Sequence, residues 1–117
     1  MSKEVLDVEE LKERVQNDIE LMFELFEIFI EDYGPKRITL EESLKGDDFE
    51  EVRNIAHSLK GASGNISAKE LNKVLLEFEE MGSKNNSTGF EALLIQLDTA
   101  YSSLTARIEE LKQESAS

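Results

Sequence analysis

Five times along the chain a short polar side chain stands three residues ahead of a glutamate: Asp7 with Glu10, Asn17 with Glu20, Asp48 with Glu51, Ser67 with Glu70 and Thr88 with Glu91. This is the spacing by which a helix start satisfies its own orphan amides. The leading side chain accepts from the third helical residue, and the glutamate reaches back. Behind each mark apolar residues recur at intervals of three and four, the period of one helix face, and no segment alternates as a strand would. With a single proline in 117 residues, little else interrupts that pattern. The marks predict about five helices and no sheet.

The first helix is short, Val8 to Val15. The second begins near Asp18 and carries Ile19, Leu21, Met22, Leu25, Phe26, Ile28, Phe29 and Ile30 to Gly34-Pro35. There the missing amide hydrogen and the clash with the carbonyl four residues earlier predict a kink or a restart. Ile38, Leu40 and Leu44 then continue the stripe to a stop at Gly46. The third helix opens at Asp48, turns Phe49, Val52, Ala56, Leu59 and Ser63 inward, and ends near Asn65 or Ile66. The fourth opens at Ser67 as its cap, with Leu71, Val74, Leu75, Phe78 and Met81 inward. Gly82 to Ser87 is turn chemistry and reads as a surface loop. The fifth runs from about Gly89 to Lys112 on Phe90, Leu93, Leu94, Leu97, Tyr101, Leu104, Ile108 and Leu111, with 115–117 a frayed tail. Short connections between long amphipathic helices favour antiparallel neighbours. The expected fold is all-α: an up-and-down antiparallel four-helix bundle with a short additional N-terminal helix, in one domain spanning 1–117 with an ordered core of about 5–112.

Thirteen Lys and Arg against 26 Asp and Glu leave a formal charge of −13, which repels nucleic-acid phosphates and anionic lipid surfaces. Neither nucleic acid nor membrane is an expected partner. The most apolar stretch, Leu21 to Ile30, is too short to span a bilayer and contains Glu24 and Glu27. Cysteine is absent, and no long apolar segment follows Lys3 as in a signal peptide. A cytoplasmic, monomeric, free-standing protein is expected, too small to hold a kinase domain of its own.

One residue asks for chemistry. His57, the only histidine, lies in Ala56-His57-Ser58-Leu59-Lys60-Gly61-Ala62-Ser63-Gly64. At roughly 100° per residue its ring falls about 130° from the buried stripe, facing water. Its neighbours along that face are Arg53, Lys60, Gly61 and Gly64: two cations and two residues without a side chain. A helix-interior glycine costs about 1 kcal/mol against alanine, so a pair of them beside one exposed histidine points to clearance for something large. A neutral imidazole can attack phosphorus without a base to activate it, and Lys60 could neutralise the dianion that forms. Arg53 reads either as a phosphate-supporting cation or as a surface residue paired with Glu50 or Asn54. Zinc would need three or four ligands, which one histidine without cysteine does not supply. A serine hydrolase would need a strained serine and an oxyanion hole, and Ser58 and Ser63 on a regular helix offer neither. No metal is expected in this chain. The apolar surplus of the second helix, Leu21, Phe23, Ile28 and Ile30, reads as core, with any remnant beside His57 a docking patch.

The run His57-Ser58-Leu59-Lys60-Gly61-Ala62-Ser63-Gly64 closely resembles the signature of the histidine-containing phosphotransfer family, the HPt domains of phosphorelays, and the likeness extends over nearly the whole chain. The resemblance implies a four-helix bundle that carries a phosphoryl group between receiver-domain aspartates and has no kinase activity or cofactor of its own. The receiver of a response regulator or hybrid histidine kinase would bring Mg²⁺. His57 would be the phospho-accepting residue, Lys60 the nearby cation and Gly61 the clearance for docking. Glu79 falls where some relatives carry a glutamine that contacts the histidine, and could fix the ring's tautomer. Ser67 departs from the glycine many relatives carry there, and could cap the fourth helix instead. The rival reading is an acidic helical adaptor whose histidine is incidental.

Overall fold

A computed structural model describes residues 3–116 of the chain. Five helices follow one another: α1 (Val8–Arg14), α2 (Ile19–Lys45), α3 (Phe49–Asn65), α4 (Lys69–Lys84) and α5 (Phe90–Ala116), with no strand among the described residues. Three starts are capped by aspartate. Asp7 accepts from the Glu10 amide at 3.1 Å, Asp18 from Leu21 at 3.0 Å and Asp48 from Glu51 at 3.2 Å. The cap of α2 is therefore Asp18 and not Asn17. Gln16 and Asn17 sit at φ of 54° and 63°, and these two left-handed residues turn the chain so that the cap falls one place later.

Ser67 does not cap α4. The N-cap is Ala68, without a side-chain bond, and Ser67 takes φ 60°, the left-handed conformation that glycine adopts most easily. Its buried hydroxyl instead donates to Glu10 Oε1 at 2.7 Å, and its carbonyl accepts from the Asp7 amide at 3.0 Å. These bonds to the start of α1 offset the strain of a non-glycine residue there. Thr88 is no cap either: α5 begins two residues on, where the Phe90 amide reaches the Ser87 carbonyl at 3.0 Å.

Pro35 does not divide α2. The 27-residue helix continues through it without a restart. Pro35 removes only the bond to the Glu31 carbonyl, and Glu31, Gly34 and Pro35 are all exposed, so that group faces water rather than core. Two other ends also lie further on than the sequence pattern predicts. α4 continues through Gly82 to Lys84 and stops on Asn85 in a left-handed cap, so Gly82, Ser83 and Lys84 are helix and not loop. The last helix extends through Ser115 to Ala116, while Ser117 lies outside the described residues.

α3 packs between α2 and α4, and α5 closes against both α4 and α2. Into that ring point Met22, Phe26, Phe29, Tyr33, Leu40 and Leu44 of α2, Val52, Ile55, Ala56 and Leu59 of α3, Leu71, Val74, Leu75 and Phe78 of α4, and Leu93, Leu97, Leu104 and Ile108 of α5. Each such leucine or phenylalanine contributes about 1.5–3 kcal/mol by leaving water. Phe49, Met81, Phe90 and Tyr101, expected inside, are only partly buried. α1 lies over the α3–α4 turn: Leu6, Leu11 and Val15 are buried, and the Arg14 guanidinium donates to the Gly64 carbonyl at 2.7 Å. The molecule measures 47 × 21 × 21 Å, its long axis about that of a 27-residue helix.

Candidate functional site

The buried face of α3 fixes where His57 points. Val52, Ile55, Ala56 and Leu59 hold one side against the core, and the imidazole, 70% exposed, stands on the other. α4 brings up Glu79 opposite it, and this carboxylate is mostly buried at 18% exposure. One oxygen lies 2.7 Å from His57 Nδ1 and the other 2.6 Å from Lys60 Nζ, so a single side chain holds two successive groups of the histidine face. Hydrogen bonding from Lys60, and secondly from His57, holds the Glu79 carboxyl below its usual range, against the opposing effect of burial.

The tautomer follows from the partner. A carboxylate can only accept, so the proton of the neutral ring must sit on Nδ1. Nε2 then carries the lone pair, and no hydrogen bond among the described residues engages it. The arrangement presents a nucleophilic nitrogen to solvent, with its ring orientation fixed from behind and an ammonium one helical turn away.

The other candidates divide. Gly61 has open space where a Cβ would stand, with nothing within 4 Å. Gly64 lies instead at the α1 junction, its carbonyl taken by Arg14 and its missing Cβ 3.5 Å from Asn72 Nδ2. Arg53 lines a shallow open cleft with Asn54, His57, Glu79 and Ser83, and forms no ion pair with Glu50 among the described residues. The apolar surplus of α2 splits too: Phe23 and Ile30 pack against the core, while Leu21 and Ile28 stay exposed at 39% and 61%.

Two participants escaped the sequence reading. Lys36 of α2 donates to Ser58 Oγ at 2.9 Å while paired with Asp32 at 3.0 Å, bringing a third helix beside the histidine. No periodicity announces that contact. Asn72 of α4 donates to the Lys60 carbonyl at 2.8 Å and steadies the turn that carries the ammonium.

Comparison with known proteins supplies a family. The family model for the Hpt domain matches residues 24–114. The chain belongs to the Hpt domain family. Hpt domains are phosphocarriers of phosphorelays, and the matched range takes in His57, Lys60 and Glu79. The chain is also similar to histidine-containing phosphotransfer protein 5 of Arabidopsis thaliana, at 29% identity over 91 residues. That match covers 75% of this chain and 58% of the plant protein, so this chain spans a little over half of that relative's length. No solved structure gives a significant match. Among the described residues no helix is long and apolar enough to cross a membrane.

Proposed function

We propose that this Hpt domain carries a phosphoryl group on His57 Nε2 between receiver-domain aspartates. The observation that carries the reading is the 2.7 Å bond from Nδ1 to Glu79 on a ring otherwise open to solvent. The Nε2 lone pair attacks the phosphorus of the receiver's aspartyl phosphate. An N–P bond forms, the P–O bond to the aspartate breaks, and its electron pair leaves with the carboxylate. The ring then holds Nδ1–H and Nε2–P together and is positively charged, with the Glu79 carboxylate against its charged edge. Onward transfer reverses the step on a second receiver, and the receiver brings the Mg²⁺.

Lys60, held by Glu79 in the resting site, supports charge at the phosphoryl group, and Gly61 leaves room for the receiver's approach. Arg53 adds a cation at the rim. We read the ring of helix contacts as an up-and-down antiparallel four-helix bundle with α1 across one end, the whole of 1–117 forming one unit. It works as a cytoplasmic monomer without kinase activity of its own.

Exposure of the chain to a labelled, phosphorylated receiver should place acid-labile, base-stable label on it. A chain that binds the receiver yet takes no such label is the acidic adaptor instead.

A further inference from the structure

Gly82 has a place in the fold that nothing in the phosphocarrier reading uses. It is buried within α4, one turn beyond Glu79. A Cβ built on it would lie 2.6 Å from the Arg53 backbone nitrogen, 2.7 Å from Arg53 Cβ and 2.8 Å from Arg53 Cα. Those atoms belong to the turn of α3 just before His57. A close backbone approach of α3 to α4 therefore sits one turn from both ends of the His57–Glu79 bond. Gly34 and Gly61, by contrast, have nothing within 4 Å of the same position, so crowding is particular to Gly82 and not a property of helical glycines in this chain.

The geometry leaves little slack. Both Glu79 oxygens are already at bonding distance, 2.7 Å to Nδ1 and 2.6 Å to Nζ, on a side chain with only two methylenes of reach. Relieving a Cβ clash against backbone requires a separation of about 1 Å more, because carbon contacts settle near 3.5–4.0 Å. A retreat of that size takes a 2.7 Å hydrogen bond beyond the range in which it counts as one. A glycine costs about 1 kcal/mol in a helix interior relative to alanine, so its use here trades helix propensity for proximity.

We propose that Gly82 is a positioning residue of this site: its missing side chain sets the α3–α4 separation at which the Glu79 carboxylate spans His57 Nδ1 and Lys60 Nζ. Gly82 touches neither the ring nor the phosphoryl group and acts through Glu79. Its consequence for transfer rests on the reading of His57 as the phosphoryl acceptor; its effect on the ring does not.

The test uses the lone histidine of the chain, whose two imidazole ¹⁵N resonances report which nitrogen carries the proton. In the parent, at alkaline pH, the Nδ1–H form dominates. In Gly82→Ala, with helicity checked by circular dichroism, the ratio of Nδ1–H to Nε2–H falls by roughly tenfold, the loss of one charge-assisted hydrogen bond. Glu79→Ala gives a similar fall, and the double variant falls no further, because the glycine acts only through the carboxylate. Glu79→Asp withdraws the carboxylate by one methylene at parental helix spacing and also lowers the ratio. If Gly82→Ala does not fold, a parental ratio in Glu79→Asp still overturns the proposal, because it shows that the carboxylate has reach to spare.

A parental ratio in folded Gly82→Ala, a parental ratio in Glu79→Asp, or additive losses in the double variant would each overturn the proposal. So would a parent ring protonated on Nε2. A parent that shows these tautomer shifts but accepts no phosphoryl label would defeat the phosphocarrier reading and leave the positioning role supported.

Discussion

Two of the cation–carboxylate clusters that join helices among the described residues differ in what each leaves uncommitted. Between α2 and α5 the Arg37 guanidinium donates to both oxygens of Asp98, at 2.9 and 2.8 Å, and also to Glu41. On the same two helices Tyr33 stacks on Tyr101 at 3.9 Å between ring centroids. The bonds to Asp98 and Glu41 raise the affinity of Arg37 for its proton, and burial pushes the Tyr33 phenol upward, so the guanidinium stays charged and the phenol neutral. Between α3 and α4, Glu79 binds His57 and Lys60 in much the same forked manner. There the partner is an imidazole, which has a second nitrogen. A guanidinium has donors alone and no nucleophilic lone pair, whereas an imidazole held at Nδ1 presents Nε2. Ion-pair geometry does not by itself mark a site; the group left over after the pair has formed does.

The largest expected effect removes that leftover group. His57→Gln should fold like the parent, since an exposed helix position tolerates glutamine, and should accept no phosphoryl label. Circular dichroism and labelled transfer on one sample check both halves, and appreciable label on the variant would erase the contrast between the clusters. Next comes Gly61→Gln, which places a long side chain in the open space beside His57. It should raise the melting temperature, since helix propensity favours glutamine by several tenths of a kcal/mol, yet sharply reduce transfer from a receiver. Labelling by phosphoramidate, which is small, should stay close to parental. Unchanged receiver transfer would show that the open space is not a docking surface.

Lys60→Ala should slow transfer by roughly one to two powers of ten, the cost of one charge-assisted contact felt in the transition state. A parental rate would remove the ammonium from the site. Arg37→Gln tests the other cluster: stability should drop by about 1–2 kcal/mol, a charge-assisted bond discounted for the exposure of Asp98, with transfer unchanged. Denaturant melts and labelled transfer would separate the two clusters by function.

The smallest effect is one of pH. Hydrogen bonds from Arg37, then from Lys45, lower the Glu41 carboxyl from 4.5 to about 2. A depressed folded-state pKa contributes stability that is present above 4.5 and disappears as pH falls through about 2. The stability gap between parent and Arg37→Gln should therefore narrow across that interval. A gap that stayed constant down to pH 2 would show that the Arg37–Glu41 pair does not couple to folding.

Much of this was legible from residues alone, and the reason is range. Caps at Asp7 and Asp48, the inward stripe of α3 and the outward ring of His57 depend on neighbours within one helical turn, which the chain order supplies directly. The misreadings share the opposite cause. Asn17 lost its cap to Asp18 because two residues adopt positive φ, and Ser67 became a left-handed joint because α1 offered its hydroxyl and carbonyl partners. Pro35 could stay within α2 because its unpaired carbonyl faces water. Gly82 continues the buried stripe four residues after Phe78, a signal that was present in the sequence but was outweighed by the turn-like residues after it.

The sequence by itself determined an all-helical chain, one exposed histidine and the small and cationic residues along its face. Its likeness to relatives placed Glu79 as a candidate partner for that ring. Only the tertiary structure decided that Glu79 grips both His57 and Lys60, that Arg37 is taken up by Asp98, and that α3 and α4 meet at Gly82. Periodicity states which face a residue occupies. It carries no information on how closely two faces approach, and a hydrogen bond that forms at 2.7 Å is lost one ångström further out.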